Sequence, residues 1–483
     1  MTFKLRFAPS PTGNLHIGSV RTAIFNWVWA TSLGARLVLR IEDTDMVRSD
    51  AAYEQNIMDG LAWLGLAFDE GPHQPNGAMK YRQSERIQDQ TYAPYISKLI
   101  DNGHAYYAFE TDEELAAERQ AAEDQGIPYV YSRKSLNYSP SDVAEKLAKG
   151  QPYVVRFKVP EKDTIVVKDA IRGDIAFESG LLSDFVIVKS DGVPTYNFAV
   201  VVDDADMGIT HVVRGEDHIA NTPKQLMIYA ALGFDVPMFA HLPIILGPDR
   251  SKLSKRHGAK SVTEYKDEGF LPDALINYLS LLGWSPPQGQ EFLSRTELCE
   301  LFDMAKINKA GAVFDTVKLT WMNKHYLAKK TDDELLALVH PFVHPDLKQM
   351  DDLDRKILSV RDNISTLADI NQYLGVYSQG NHTVLEKFKA LPLPASDVLV
   401  IDYLAKVIPT LNEWHVDGVQ RLIDDMMGGL NLGKGKVMKP FRKCLTGEES
   451  GPNLVDCLSL IPLSDVQTRI KLVVEHVKST SPN

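Results

Sequence analysis

KLRFAPSPTGNLHIGSVRTAIFNWVWATSLGARLVLRIEDTD, residues 4–45, reads as strand, tight loop, helix and strand in succession. Leu5, Arg6, Phe7 and Ala8 make a short strand-like run. PSPTGN (9–14) then supplies breakers: proline fixes φ and lacks an N–H, and glycine frees the backbone for a tight loop. From about His16, the apolar residues Val20, Ile24, Trp27, Val28 and Leu33 recur with helical spacing. Gly34 stands where the left-handed residue that ends a helix belongs. ARLVLRI (35–41) is a second strand, running into the carboxylates Glu42, Asp43 and Asp45. Strand, helix, strand is the unit of a parallel α/β sheet.

Outward from this unit the pattern is interrupted, from about 101 to 190. Thr111 to Glu114 (TDEE) form a capping box at the start of a polar helix. Pro- and charge-rich stretches follow, with short β runs such as YVVRFKV (153–159). The apolar α/β pattern resumes with DFVIVK (184–189), TYNFAVVVDD (195–204) and ITHVVRG (209–215). Thr222 reads as the N-cap of a helix to Leu232, with Pro223 at its first position and Gly233 as its stop. HLPIIL (241–246) reads as a strand that runs into the loop GPDRSKLSKRHG (247–258).

From about 326 strand-like alternation almost vanishes. Ile357, Val360, Ile364, Leu367 and Leu374 keep helical spacing, as do stretches around 396–408, 415–427 and 464–477. The expected architecture is an α/β domain in two halves (1–100 and 191–258) split by an inserted α+β module (101–190). A connecting region (259–325) and an all-α domain (326–483) follow.

A chain of 483 residues is too long for a single core, which agrees with several domains. No segment approaches the run of apolar residues a membrane span needs, and Lys4, Arg6, Pro9, Pro11 and His16 break up any leader-like stretch. Cys299, Cys444 and Cys457 are odd in number and never spaced as CxxC, so neither disulfides nor thiolate zinc is indicated. A cytosolic protein is the expectation. The net charge of −12 disfavours non-specific nucleic-acid binding, but it does not report on a local patch. One basic run exists: Lys434, Lys436, Lys439, Arg442 and Lys443, in GKGKVMKPFRK. Taken alone it reads as a solvated loop rather than a nucleic-acid contact.

Two segments carry the chemistry. PSPTGNLHIGS (9–19) delivers His16 and Gly18 to a helix start, where free N–H groups and a partial positive charge favour phosphate. Gly18 lets a nucleotide come close to the backbone. SKLSKR (251–256) puts Lys252 and Lys255 around Ser254 on a loop, two ammonium groups suited to neutralising a leaving pyrophosphate. Either segment alone is weak, since a His–Gly pair at a helix start is more often packing and a Lys-rich loop more often solvated.

Together they resemble the HIGH and KMSKS signatures of class I aminoacyl-tRNA synthetases. APSPTGNLHIG, RIEDTD, SDGVPTYNFAVVVDD, RGEDH and KLSKR are similar to the glutamyl branch, in order over about the first 325 residues and more faintly through LTG (445–447) to the end. Ser19 replaces the last His of the first signature and Arg256 the last Ser of the second, variants usual in that branch. The resemblance implies a Rossmann-like catalytic core, an acceptor-end-binding insertion, a stem-contact region and a helical anticodon-binding domain. It also implies ATP-dependent activation of L-glutamate to glutamyl-adenylate, then transfer to the 3′-terminal adenosine of tRNA-Glu. His16, Ser19, Lys252 and Lys255 are then the catalytic residues, and Thr12, His16, Gly18, Ile245 and Lys255 bind ATP. Arg6, Ser10, Glu42, Tyr196 and Arg214 form the glutamate pocket: a carboxylate calls for a guanidinium, and Glu42 would receive the substrate ammonium. Mg2+ is expected with ATP, and a monomer is expected. No zinc is expected, because AYYAFET (105–111) holds no cysteine and His104 alone cannot build a tetrahedral site.

Other readings fit less well. GGLNLGKG (428–435) mimics a P-loop, but Gly435 stands where Ser or Thr is needed and no strong strand precedes it. A related tRNA-modifying enzyme of the glutamyl branch lacks the helical tail. Small-molecule adenylyltransferases are much shorter, and the glutaminyl branch carries β-barrel anticodon domains.

Overall fold

The computed structural model describes residues 3–127, 129–258 and 260–480, with the side chains of Leu181 and Lys255 also outside the description. The chain forms two compact units, one of Met1–Lys266 with Leu275–Thr316, the other of Asp267–Ala274 with Val317–Asn483.

The first unit is built on β1 (Lys4–Phe7), β2 (Arg36–Leu39), β3 (Ala105–Ala108), β4 (Val154–Phe157), β5 (Thr164–Asp169), β6 (Gly173–Glu178), β7 (Val186–Val188), β8 (His211–Gly215), β9 (Met238–Leu242), β10 (Ile245–Leu246) and β11 (Ala312–Val313). Its main sheet has the order β2-β1-β8-β9-β5-β6. All neighbours are parallel except the β5–β6 hairpin, with Arg6 opposite Val38 and Arg214 opposite His241. Parallel strands are covered on both faces, which is why Leu5, Val38, Val212 and Ala240 are fully buried. The helix Ile17–Leu33 makes the crossover from β1 to β2. The chain therefore leaves β1 toward one side, while β8 lies on the other. Ligands of open α/β sheets bind outside the carboxyl ends of the strands at such a divergence.

Local chemistry explains the boundaries. His16 caps the Ile17–Leu33 helix by accepting the Gly18 N–H at 3.1 Å, and Gly34 ends it at φ +59°. The Thr111–Glu114 capping box is present. The run 195–204 is a helix, Tyr196–Asp206.

Three expectations need correction. Thr222 is not an N-cap: Asn221 precedes the helix, Thr222 is its first residue, and the Thr222 hydroxyl serves Arg214 and His241 instead. HLPIIL is not one strand, because Pro243 cannot donate to a ladder; β9 stops at Leu242 and β10 pairs with β11. The inserted span also does not fold wholly apart. β3, β4 and β7 form their own antiparallel sheet, but β5 and β6 extend the main one.

In the second unit every regular element from Val317 onward is helical among the described residues. One apolar cluster joins Leu271, Ala274, Leu327, Ile357 and Leu374, and another joins Val400, Leu404, Ile423, Phe441 and Ile470. The basic run is not a loop but lies mostly in the helix Lys434–Thr446, which turns its charges to different sides. Lys443 is buried against Asp397 at 3.0 Å, Lys439 pairs with Glu449, and Arg442 donates to the Pro452 carbonyl. Only Lys434 and Lys436 stand exposed without such a pair among the described residues. GGLNLGKG is a helix–helix connection, with Asn431 in the left-handed conformation after Leu430 and Gly433 starting the next helix.

Candidate active site

A cavity of about 640 Å³ opens in the first unit at the divergence point. Arg6 reaches it from β1, Arg214 from β8, Glu42 from the segment after β2, and Tyr196 from a helix start. Ser10 and Thr12 line it from the loop, followed by His16, Gly18 and Ser19 at the helix N-terminus. Ile245 and Lys252 line it as well. Every residue given a catalytic, ATP-binding or glutamate-binding role from sequence thus lines one cavity, except Lys255, whose side chain lies outside the described residues.

Two of the glutamate-pocket candidates, Arg6 and Glu42, are held by buried ion pairs. Arg6 donates from Nε to Asp204 at 3.3 Å. Arg40, with no exposed surface, donates to Glu42 at 2.9 Å and to Asp204 at 2.5 Å. Burial pushes the Glu42 carboxyl up, and Arg40 and then Arg6 oppose this. Burial acts the same way on Asp204, but there Arg40 and Arg6 win and hold it below the usual carboxylate range. Asp43, next in the chain, accepts the Ser84 N–H at 2.8 Å.

Arg214 is different. Its nitrogens donate to Thr222 and Gln225 at 2.8 Å, to His241 at 3.1 Å and to the Tyr196 hydroxyl at 3.4 Å. Every one of these partners is uncharged or, for His241, held toward the neutral form by burial. Arg214 is thus a buried cation whose direct hydrogen bonds reach no carboxylate, at the edge of an open cavity. His218 lies 3.0 Å from the Tyr196 oxygen, and burial together with Arg214 brings its imidazole down to about 4.

At the phosphate end, a Cβ on Gly18 would meet only the His16 ring. Packing therefore does not demand glycine there, and close approach of a ligand gives a reason for it. Lys252 is exposed, 3.7 Å from Asp217. Its loop is seated on β10 through the Leu253 N–H to the Ile245 carbonyl at 2.9 Å. His257 fills the space beside Gly247, where a Cβ would lie 2.7 Å from its ring.

Arg40, Asp204 and His218 were not singled out from sequence. A signal existed for the first two: an arginine within the apolar strand LVLRI, and two aspartates closing the apolar run NFAVVVDD, both ask for buried partners. For His218 only its place in RGEDH pointed inward.

Residues 2–321 match the model of the class I tRNA synthetase (E and Q) catalytic domain, and 334–474 that of an anticodon-binding domain. The chain belongs to the glutamate–tRNA ligase branch of the class I tRNA synthetases. Relatives named glutamate–tRNA ligase include one from Aquifex aeolicus, 44% identical over 98% of this chain and 99% of its own. Another is from Moorella thermoacetica, 41% identical over 98% of each. A crystal structure of a glutamate tRNA ligase from Elizabethkingia meningosepticum, in complex with its amino acid, superposes with TM-score 0.87 at 33% identity, over 98% of this chain and 99% of that one. The α/β core followed by a helical domain is the architecture of this family.

Proposed function

We propose that this chain is a glutamate–tRNA ligase that activates L-glutamate with ATP and transfers it to the 3′-terminal adenosine of tRNA-Glu. Buried Arg214, hydrogen-bonded to neutral groups beside the same cavity that receives a phosphate-binding helix start, carries this reading. A substrate side-chain carboxylate completes that charge, with Arg6 as second guanidinium and the Tyr196 hydroxyl as a further donor. Glutamine would leave the guanidinium without a counter-charge, which is strongly unfavourable in a desolvated pocket. Glu42, held by Arg40, receives the substrate ammonium, and Ser10 lies on the same wall.

The reaction needs no general base, because the α-carboxylate is already an anion when it attacks the α-phosphate. Catalysis is positioning plus charge stabilisation. The helix start at His16, Gly18 and Ser19 takes the phosphates, Thr12 and Ile245 flank the nucleotide, and Lys252 and Lys255 meet the charge that grows on pyrophosphate. Mg2+ fits as an ion carried by phosphate and water, since among the described residues no cluster of three His, Cys, Asp or Glu forms a cage. When bound it supplies further neutralisation of the phosphates.

The second, helical unit reads the anticodon, whose bases can be splayed out and recognised singly. No helix among the described residues is long and apolar enough to cross a membrane. A cytoplasmic location, in keeping with a role in translation, and a monomeric state belong to the proposal. The test is aminoacylation of purified tRNA-Glu and tRNA-Gln in parallel. ATP-dependent esterification of glutamate to tRNA-Glu is the expected result, and its absence from a folded preparation would overturn the reading.

A further inference from the structure

The peptide between Pro243 and Ile244 is gripped at both of its polar ends. Arg21 donates to the Pro243 carbonyl, and the Ile244 N–H donates to the Glu216 carboxylate at 2.7 Å. In a trans peptide these two groups point in opposite directions, so a cation on one side and an anion on the other fix the plane against rotation. Both clamps are themselves anchored. Arg21 is buried and also donates to the Leu282 carbonyl at 3.1 Å. Glu216 forms an ion pair with Arg172, which sits in the β5–β6 turn where Asp169 accepts its N–H at 2.7 Å.

The position of this peptide matters. Pro243, Ile244 and Ile245 form one wall of the cavity, and the Ile245 carbonyl seats the loop that carries Lys252. Arg21 lies one turn beyond Gly18 on the helix whose N-terminus faces the cavity. The clamp therefore ties the helix that starts at the cavity to the cavity's apolar wall. The Ile244 carbonyl is directed at Gly311, where a Cβ would lie 2.8 Å away, so this segment has no slack on that side.

We infer that Arg21 and Glu216 form a charge clamp on the 243–244 peptide that sets the spacing of the nucleotide site, and that both are positioning residues for ATP. The inference rests on the proposed use of ATP. Neither residue is expected to touch glutamate.

The test is steady-state kinetics of Glu216→Ala, Glu216→Gln and Arg21→Met in the full chain, with ATP and glutamate varied separately. For Glu216→Ala and Arg21→Met, the ATP KM should rise about fivefold or more while the glutamate KM stays within about twofold. Glu216→Gln, whose amide oxygen still accepts the Ile244 N–H, should recover most of the loss. Direct binding of a non-hydrolysable ATP analogue gives the same comparison for any variant too slow to assay. An unchanged ATP affinity, or ATP and glutamate constants rising together, would overturn the clamp. A wild-type protein with no ATP-dependent activity would instead overturn the function it rests on.

Discussion

Arg40 donates to Glu42 at 2.9 Å from a guanidinium with no exposed surface. The same guanidinium reaches Asp204, which in turn accepts from Arg6. One interior side chain thus orients both an anion and a cation of the cavity wall. Arg40→Met would leave buried Glu42 without its ion-pair partner and Asp204 with Arg6 alone, a loss of about 3–5 kcal/mol where a buried pair is broken. Calorimetry of the variant should show a clearly lowered transition, together with a raised glutamate KM. Unchanged melting would mean that the pairs are not held as described.

Lys252 and Lys255 should matter for chemistry and not for folding. Lys252 is exposed and its one close carboxylate is 3.7 Å away, so little stability depends on it. Replacing either lysine by alanine should slow glutamate activation by about 10²–10³-fold, the scale for removing one group that stabilises transition-state charge. ATP–pyrophosphate exchange in the presence of tRNA measures this, and a rate within a few-fold of wild type would remove the loop from the mechanism.

His218 should stay neutral across the working range. Its value falls to about 4 from an ordinary 6.5, through burial and the neighbouring Arg214. The folded value lies below the unfolded one, so the unfolded chain binds more protons between the two. The stability His218 contributes is then present above about 6.5 and lost as pH falls toward about 4. NMR of the ring should show no titration between about pH 5.5 and 8. His218→Asn should make stability less sensitive to acid, and a mid-range titration would show that the ring is solvated.

Gly447, the glycine of LTG, is required by its backbone. Its φ is +70°, and a Cβ would lie 2.6 Å from the Lys387 Cβ. Gly447→Ala adds left-handed strain to overpacking, about 2–4 kcal/mol in all. Thermal melting of the helical unit should drop accordingly. A change below about 0.5 kcal/mol would mean that the helix end relaxes freely.

Chelator-free protein should carry no stoichiometric zinc, since β3 and its flanks offer aromatic side chains where a thiolate cluster would be needed. Elemental analysis giving one zinc per chain would contradict this.

The sequence by itself determined the strand–helix–strand opening, the helical character beyond 326 and the segments that face the cavity. Those features are local: breakers such as Pro9 and Gly34, and apolar spacing, act within a few residues of themselves. What only the tertiary structure decided depends on residues far apart in the chain. Thr222 is a good N-cap by type, but Arg214 recruits its hydroxyl. Lys443 looks like surface charge until Asp397, 46 residues away, buries it. β5 and β6 read as part of an insertion, yet β9 offers β5 a parallel edge. Leu271 and Ala274 precede the helical domain by some fifty residues and still belong to its core, so no single cut in the chain separates the two units. The sequence shows that Arg40 and Asp204 each ask for a buried partner, but not that they are each other's, because they stand 164 positions apart. Burial in a medium of low dielectric, which makes an unpaired charge costly, is what brought them together.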